Sequence, residues 1–336
     1  MTTAAVNDSL PSFLDLKKSL DPNGSPAQVI EMLNGMNEIA KDAVVTEGNE
    51  TTGHQVTQRT CLPTPAWRKM NSGVASTKGR TNQFVETAAI LSSESKCSVE
   101  MADMYPGGAA AYRMQQARAH IEGMSQEMES TLIVGSLASA PDELNGLLPR
   151  FASTTDTGGS QIVLCDDDAS GGDQHDILLI GWAEHTVHLF YPRGAANGGI
   201  KHTPKDSVII QDDDGNDMLA HVDFFDWRIG LAVEDYRYVV RIANIDDVDL
   251  VNGTSNVIEA MIDAFHKIPN KGNGVRLAWY TDMDVGTFLH KAALNKVGGS
   301  TLSIEDDLVN GGPISKFMKV PIRESTGFTG TSSVVS

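Results

Sequence analysis

From Thr51 through Val85 the chain carries no Asp or Glu, yet Arg59, Arg68, Lys69, Lys78 and Arg80 all fall within that window. The chain as a whole is strongly acidic: 44 acidic residues against 26 basic ones leave a net charge of −18. A basic segment in an acidic chain must be placed so that its charges meet something. The segment also holds LPTP (62–65), NSG (71–73) and several Ser and Thr between short apolar stretches, a pattern that predicts a long β-hairpin. An isolated two-stranded ribbon is marginal in water, so a hairpin of this length needs another surface to lie on. The acidic surface of a second copy of the chain offers one with complementary charge. A solvated loop is the competing reading of the same composition.

The 336 residues, 40% of them hydrophobic, suffice for one large domain or two to three ordinary ones with a substantial core. Net negative charge disfavours nucleic acid and anionic membranes, because both are held by Lys and Arg. Cys61, Cys97 and Cys165 form no C-x-x-C pair and are too scattered for a disulfide framework, so they are expected as reduced thiols. The N-terminus has no basic region followed by an apolar core, and no apolar run reaches the ~18 to 20 residues of a membrane span. A soluble, unsecreted protein is expected.

Periodicity divides the chain into segments. Ser25-Pro26 opens a short helical pattern carrying Val29, Leu33, Met36 and Ala40. After Pro106-Gly107-Gly108 comes the longest helical pattern, with Met114, Ala117, Ile121, Met124, Met128 and Leu132 marking one face as core. From Gln161 to about Ile245 the pattern is that of strands. A helix capped at Thr254 or Ser255 then carries Val257, Ile258, Met261, Ile262 and Phe265, and the strand VRLAWY (275–280) leads to a helix with a capping box at Thr281 and Asp284.

DWRIGLAVEDYRYVVRIANID (226–246) concentrates three arginines and four acidic residues, as a reaction centre would. Read with period two, however, Ala232, Tyr236, Tyr238, Val240 and Ile242 share one face and Asp235, Arg237 and Arg241 the other, which makes it a strand with one charged face. Other candidate chemistry fails on geometry. GNETTGHQ (48–55) has the glycine spacing of a phosphate loop, but His54 and Gln55 stand where Lys and Ser or Thr are required. His185 and His188, three apart on an expected strand, point to opposite faces and cannot share a metal. Aligning QDDDGND (211–217) as a calcium loop puts Ile210 and His221 at ligand positions, so a hairpin turn at Asp214-Gly215 is expected instead. No catalytic, cofactor-binding or metal-binding set is expected; the chain reads as a structural, self-associating protein. Its rival is a metal-dependent hydrolase built on Asp166, Asp167, Asp168, Asp212 and Asp214.

The succession EMLNGMNEIAKDAVVTEGNETTGHQVTQRTCLPTPAWRKMNSGV, the long helical segment, PDELNGLLPRF and DWRIGLAVEDYRYVVRIANID resembles the major capsid proteins of short-tailed phages similar to epsilon15 and the Bordetella phages. The resemblance covers most of the chain. It implies an α+β protein of the Hong Kong 97-like phage capsid fold: an N-terminal arm (1–53), an E-loop hairpin (54–98), a P domain (99–165 and 205–246) with a spine helix at 109–135, and an A domain (166–204 and 247–336). Because 226–246 precedes the A-domain helices, a permuted segment order is expected. The function implied is self-assembly, through hexamers and pentamers, into the icosahedral shell around the double-stranded DNA of a tailed phage. A cellular cargo compartment of the encapsulin kind is the alternative. The subunit-interface residues expected are Arg59, Arg68, Lys69, Lys78, Arg80, Arg237 and Arg241. No cofactor and no membrane is implied, and packaged DNA is touched only weakly and non-specifically. The partners implied are a separate scaffolding protein and a portal, with a cement protein left open, and with assembly in the host bacterial cytoplasm and residence in the virion.

Overall fold

The computed structural model describes residues 37–156, 158–166, 172–195, 198–211, 215–253, 255–272, 274–294, 302–306 and 313–336. Most of the expected N-terminal helix, including Val29, Leu33 and Met36, lies outside them. In chain order the strands are β1 (Val45–Glu47), β2 (Gly53–Cys61), β3 (Arg80–Thr87), β4 (Ala89–Ser98), β5 (Ile162–Leu164), β6 (Gln174–Trp182), β7 (Val187–Tyr191), β8 (Lys201–Gln211), β9 (Asp217–Val233), β10 (Val239–Asp246), β11 (Arg276–Thr281), β12 (Leu302–Asp306), β13 (Pro313–Phe317) and β14 (Val320–Glu324). The main helices are Gly108–Val134, Val257–Lys267 and Met283–Leu294. No described helix is long and apolar enough to cross a membrane.

The chain divides into two compact units. One holds residues 90–128 and 199–228, the other residues 36–89, 129–198 and 229–336. In the first, β8 and β9 form the expected hairpin, pairing from Lys201↔Asp226 to Gln211↔Asp217, with Gly215 at φ +82° in the turn. Positive φ is cheap only for glycine, so Gly215 sits where the turn requires it. Ser92 on β4 donates to Asp226 on β9 at 2.6 Å. Cys97, Met101, Ala102, Tyr105 and Tyr112 make a small core under the start of the long helix. Arg113 on that helix grips Asp223 with two bonds, at 2.9 and 2.8 Å. Burial works to raise the Asp223 carboxyl, but Arg113 and His202 hold it below its ordinary range.

In the second unit β11 pairs with β14 on one side and antiparallel with β6 on the other, β6 pairs with β10, and β10 with β5. Every residue of β6 is buried, the mark of a strand covered on both faces, which explains its nearly unbroken apolar run ILLIGW. The helix Val257–Lys267 covers β10 and β5 and buries Val257, Ala260, Met261 and Ala264. Its N-terminus and that of the next helix differ from the expected caps. Asp282, one residue past Thr281, accepts from the Val285 amide at 2.9 Å and caps Met283–Leu294.

Two further expectations change. The long helix is found within one residue of its expected limits, but only Met124, Met128 and Leu132 of the expected core stripe are buried; Met114 and Ile121 are 62% and 42% exposed. The apolar stripe runs the length of the helix, whereas its cover among the described residues does not. The stretch 226–246 is not one strand. β9 stops at Val233, a 3₁₀ turn occupies Tyr236–Tyr238, and β10 begins at Val239, because Asp235 accepts from the Arg237 amide at 3.1 Å and bends the backbone locally. The boundary between the two compact units falls between Arg228 and Ile229, inside this stretch.

Candidate subunit interface

The acid-free window is the expected hairpin. β2 and β3 pair antiparallel from Gly53↔Thr87 to Arg59↔Thr81, with a bulge between Arg59 and Cys61. Its base is tightly held. Gly53 stands so close that an added Cβ would lie 2.5 Å from the Glu86 carbonyl oxygen. Asn49 and Gln55 exchange bonds, Asn49 Nδ2 to Gln55 O at 2.8 Å and Gln55 N to Asn49 Oδ1 at 2.7 Å. Glu86, buried, accepts from Arg150 Nη2 at 2.8 Å, and the same Arg150 nitrogen donates to Asn145 O at 2.9 Å. Gln58 donates to the carbonyl of Glu234 at 2.5 Å.

The tip has none of this. Residues 61–79 are all exposed, and the apolar side chains among them stand free of cover: Trp67 is 104% exposed, Met70 93%, Leu62 68% and Val74 59%. Arg59, Arg68, Lys69, Lys78 and Arg80 are exposed too, and among the described residues none pairs with a carboxylate of its own chain. Arg68 donates only to the Ser72 carbonyl, at 2.9 Å.

The two arginines of 226–246 part company. Arg237 is exposed and bonds its neighbour Asp235, Nη2 to Oδ2 at 2.7 Å. Arg241 does not face a neighbouring subunit: it is 4% exposed, its guanidinium donates to both oxygens of buried Asp176 at 2.8 and 3.0 Å, and it donates to the Phe151 carbonyl at 2.8 Å. Period two placed it on a charged face because the sequence does not show that β6 and the Leu147–Phe151 segment close over that face.

Beside the hairpin base a cleft of about 690 Å³ is lined by residues of β2 and by His185, Glu234, Asp235, Tyr236 and Arg237. Here the structure assembles a group that spacing in sequence conceals. His188 on β7 lies opposite Ala232 on β9. Glu234, two residues on from Ala232, bonds Thr186 O through its amide at 2.8 Å and so falls on the same face. His54 on β2 completes the set, its Nε2 3.3 Å from Glu234 Oε1 and its ring edge-on to His188 at 5.3 Å. His185 is in the turn before β7 rather than on the strand; its side chain is 85% exposed, 3.6 Å from Glu234 Oε2.

Of the aspartates proposed for a hydrolase, Asp166 is buried and accepts from Ser255 Oγ at 3.0 Å and the Asn256 amide at 3.4 Å, at the start of Val257–Lys267. It is a structural acceptor. Asp167, Asp168, Asp212 and Asp214 lie outside the described residues.

Comparison with known proteins agrees with this architecture. The family model described as major capsid protein GP7 matches residues 21–336. No curated protein matches. Among solved structures the chain is similar to the near-atomic structure of bacteriophage Epsilon15, with 27% identity over 99% of this chain and 99% of that one and a TM-score of 0.76. The capsid of bacteriophage JBD30 shares the fold at 10% identity, over 88% of this chain and 93% of that one, with a TM-score of 0.51. The holo-SrpI encapsulin of Synechococcus elongatus PCC 7942 is 13% identical over 66% of this chain and 93% of its own, and its TM-score of 0.45 is too low to carry an argument for a cargo compartment. The protein is a member of the major capsid protein GP7 family, an α/β protein of the Hong Kong 97-like phage capsid fold that forms the shell of a tailed bacteriophage.

Proposed function

We propose that this shell is held together in large part by the acid-free hairpin of each subunit lying on the acidic body of the next, within hexamers and pentamers. The observation that carries the reading is the outer hairpin: five cations without a carboxylate partner among the described residues, Arg68, Lys69 and Lys78 at the tip and Arg59 and Arg80 at the ends of its strands, beside Leu62, Trp67, Met70 and Val74 with no cover. An uncovered Trp is costly to leave in water and is a preferred anchor when buried against a partner. Cations at the rim add charge complementarity, which speeds and orients the encounter. A rigid base with a free tip suits quasi-equivalent packing, in which one surface must fit neighbours in six-fold and five-fold arrangements. The unit holding 90–128 and 199–228 has the parts of the P domain, and the unit of β6, β10 and β11 those of the A domain. The acidic surface suits a shell that holds packaged DNA loosely. A scaffolding protein would act on the subunits as they assemble, and portal and cement proteins would join the shell they form, with assembly in the bacterial cytoplasm and residence in the virion.

The test is charge reversal at the tip. Arg68→Glu with Lys69→Glu, co-expressed with the phage's scaffolding protein, should leave the soluble chain folded by circular dichroism but reduce closed shells counted by electron microscopy several-fold. Normal shell yield with normal salt tolerance would remove the hairpin tip from the interface.

A further inference from the structure

The group at the hairpin base has the composition of a cation site and is not accounted for by shell formation. His54, His188 and Glu234 each offer one ligand atom, and these atoms all lie within 4.8 Å of one another. His188 is 1% exposed, yet neither of its ring nitrogens has a hydrogen-bond partner, and Nδ1 of His54 is likewise buried without one. A fully buried imidazole with both nitrogens unsatisfied is uncommon, since buried polar atoms nearly always find a partner. Neither histidine nor Glu234 can be satisfied by the other two alone: the one polar contact within the group is the 3.3 Å approach of His54 to Glu234.

We propose that His54, His188 and Glu234 bind one divalent transition-metal ion of the zinc class, which staples β2 to β7 and to the end of β9. Two imidazoles and one carboxylate make a set that suits Zn²⁺ or Co²⁺ over Mg²⁺ or Ca²⁺, which take oxygen ligands. In a tetrahedral shell with metal–ligand bonds near 2.1 Å, ligand atoms stand ~3.4 Å apart, so the observed spread closes with small side-chain rotations. The fourth position faces the cleft, where water or exposed His185 can enter. The three ligands come from strands far apart in sequence, so the ion would lock the root of the hairpin whose tip is proposed to reach the neighbouring subunit. The site itself does not depend on that proposal.

The experiment uses the untagged full-length chain, stripped with a chelator, with Zn²⁺ and Co²⁺ as the probes. Equilibrium dialysis with elemental analysis should return about one Zn²⁺ per chain, and Co²⁺ should give the visible absorption of a four- or five-coordinate centre. His54→Gln and Glu234→Gln, at partly exposed positions that leave folding intact, should each weaken binding by at least tenfold, in the range of ~10 to 100-fold for loss of a group a metal site depends on. His188→Asn should abolish it; because His188 is buried, the other two variants keep the result interpretable if this one misfolds. No stoichiometric binding, or binding unchanged in both His54→Gln and Glu234→Gln, overturns the assignment. Binding lost in His185→Ala but kept in His54→Gln would place the ion on the exposed histidine instead and overturn it equally.

Discussion

Arg241 shows how one buried charge is made tolerable. Its guanidinium meets Asp176 edge to edge and takes a backbone carbonyl besides, so neither ion is left unpaired in the core. Removing one partner strands the other. Arg241→Ala should therefore cost roughly 3 to 5 kcal/mol in urea unfolding of the chain, whereas Arg237→Ala, at an exposed pair, should stay within about 0.5 kcal/mol. Equal effects would mean that the two arginines do not differ in role. His175 supplies a pH signature. Its hydrogen bond to Asp282 raises the pKa above the ordinary histidine value, burial opposes this, and Asp247 adds to the rise. A raised folded-state pKa contributes stability that is complete below the unfolded value of ~6.5 and is lost as the pH climbs through the folded value. The stability gap between the wild type and His175→Gln, followed by urea midpoints from roughly pH 5 to 9, should narrow with rising pH. A gap that widens would reverse the assignment. Neither residue's role is visible in its own neighbourhood of the chain: Asp176 is 65 residues from Arg241 and Asp282 is 107 from His175.

The hairpin is the element in which local sequence and final structure agree best, and the reason is that its determinants are local. Alternating Thr, Gln and apolar residues, with Pro and Gly between the arms, mark a ribbon in the local sequence. What the pattern did not show is the contrast between root and tip. Gly53 belongs to the held root: its backbone is pressed against that of Glu86, and glycine is needed there for space. Gly53→Ala should cost ~1 to 3 kcal/mol as overpacking and loosen the root, seen as faster amide exchange across 53–61 and 80–87; unchanged exchange would show that the neighbouring strand gives way freely. The long helix makes the complementary point. Its apolar stripe is helical in period and the helix is there, but burial of Met124 against exposure of Met114 depends on what stands opposite each turn.

For the whole molecule, charge is unevenly distributed: acidic over most of the chain, basic and apolar at the hairpin tip. Screening acts on that distribution. Between ~0.1 M and ~1 M salt the Debye length falls from about 10 Å to about 3 Å, so the difference in shell yield between the wild type and the Arg68→Glu, Lys69→Glu variant should shrink as salt rises. A difference independent of salt would attribute the tip's effect to packing alone. Much of the architecture was legible in residues 51–85, in the 3.6-residue period after Gly108 and in the runs of β6 and β11, because helices, ribbons and doubly covered strands each leave a periodic trace in the chain that forms them. The resemblance of ordered blocks to phage capsid proteins carried the family. The division of 226–246 between two units, the burial of Arg241, the capping by Asp282 and the meeting of His54, His188 and Glu234 were open to no such reading. Each depends on which strands become neighbours, and that is settled by the packing of segments distant in sequence, where periodicity carries no information.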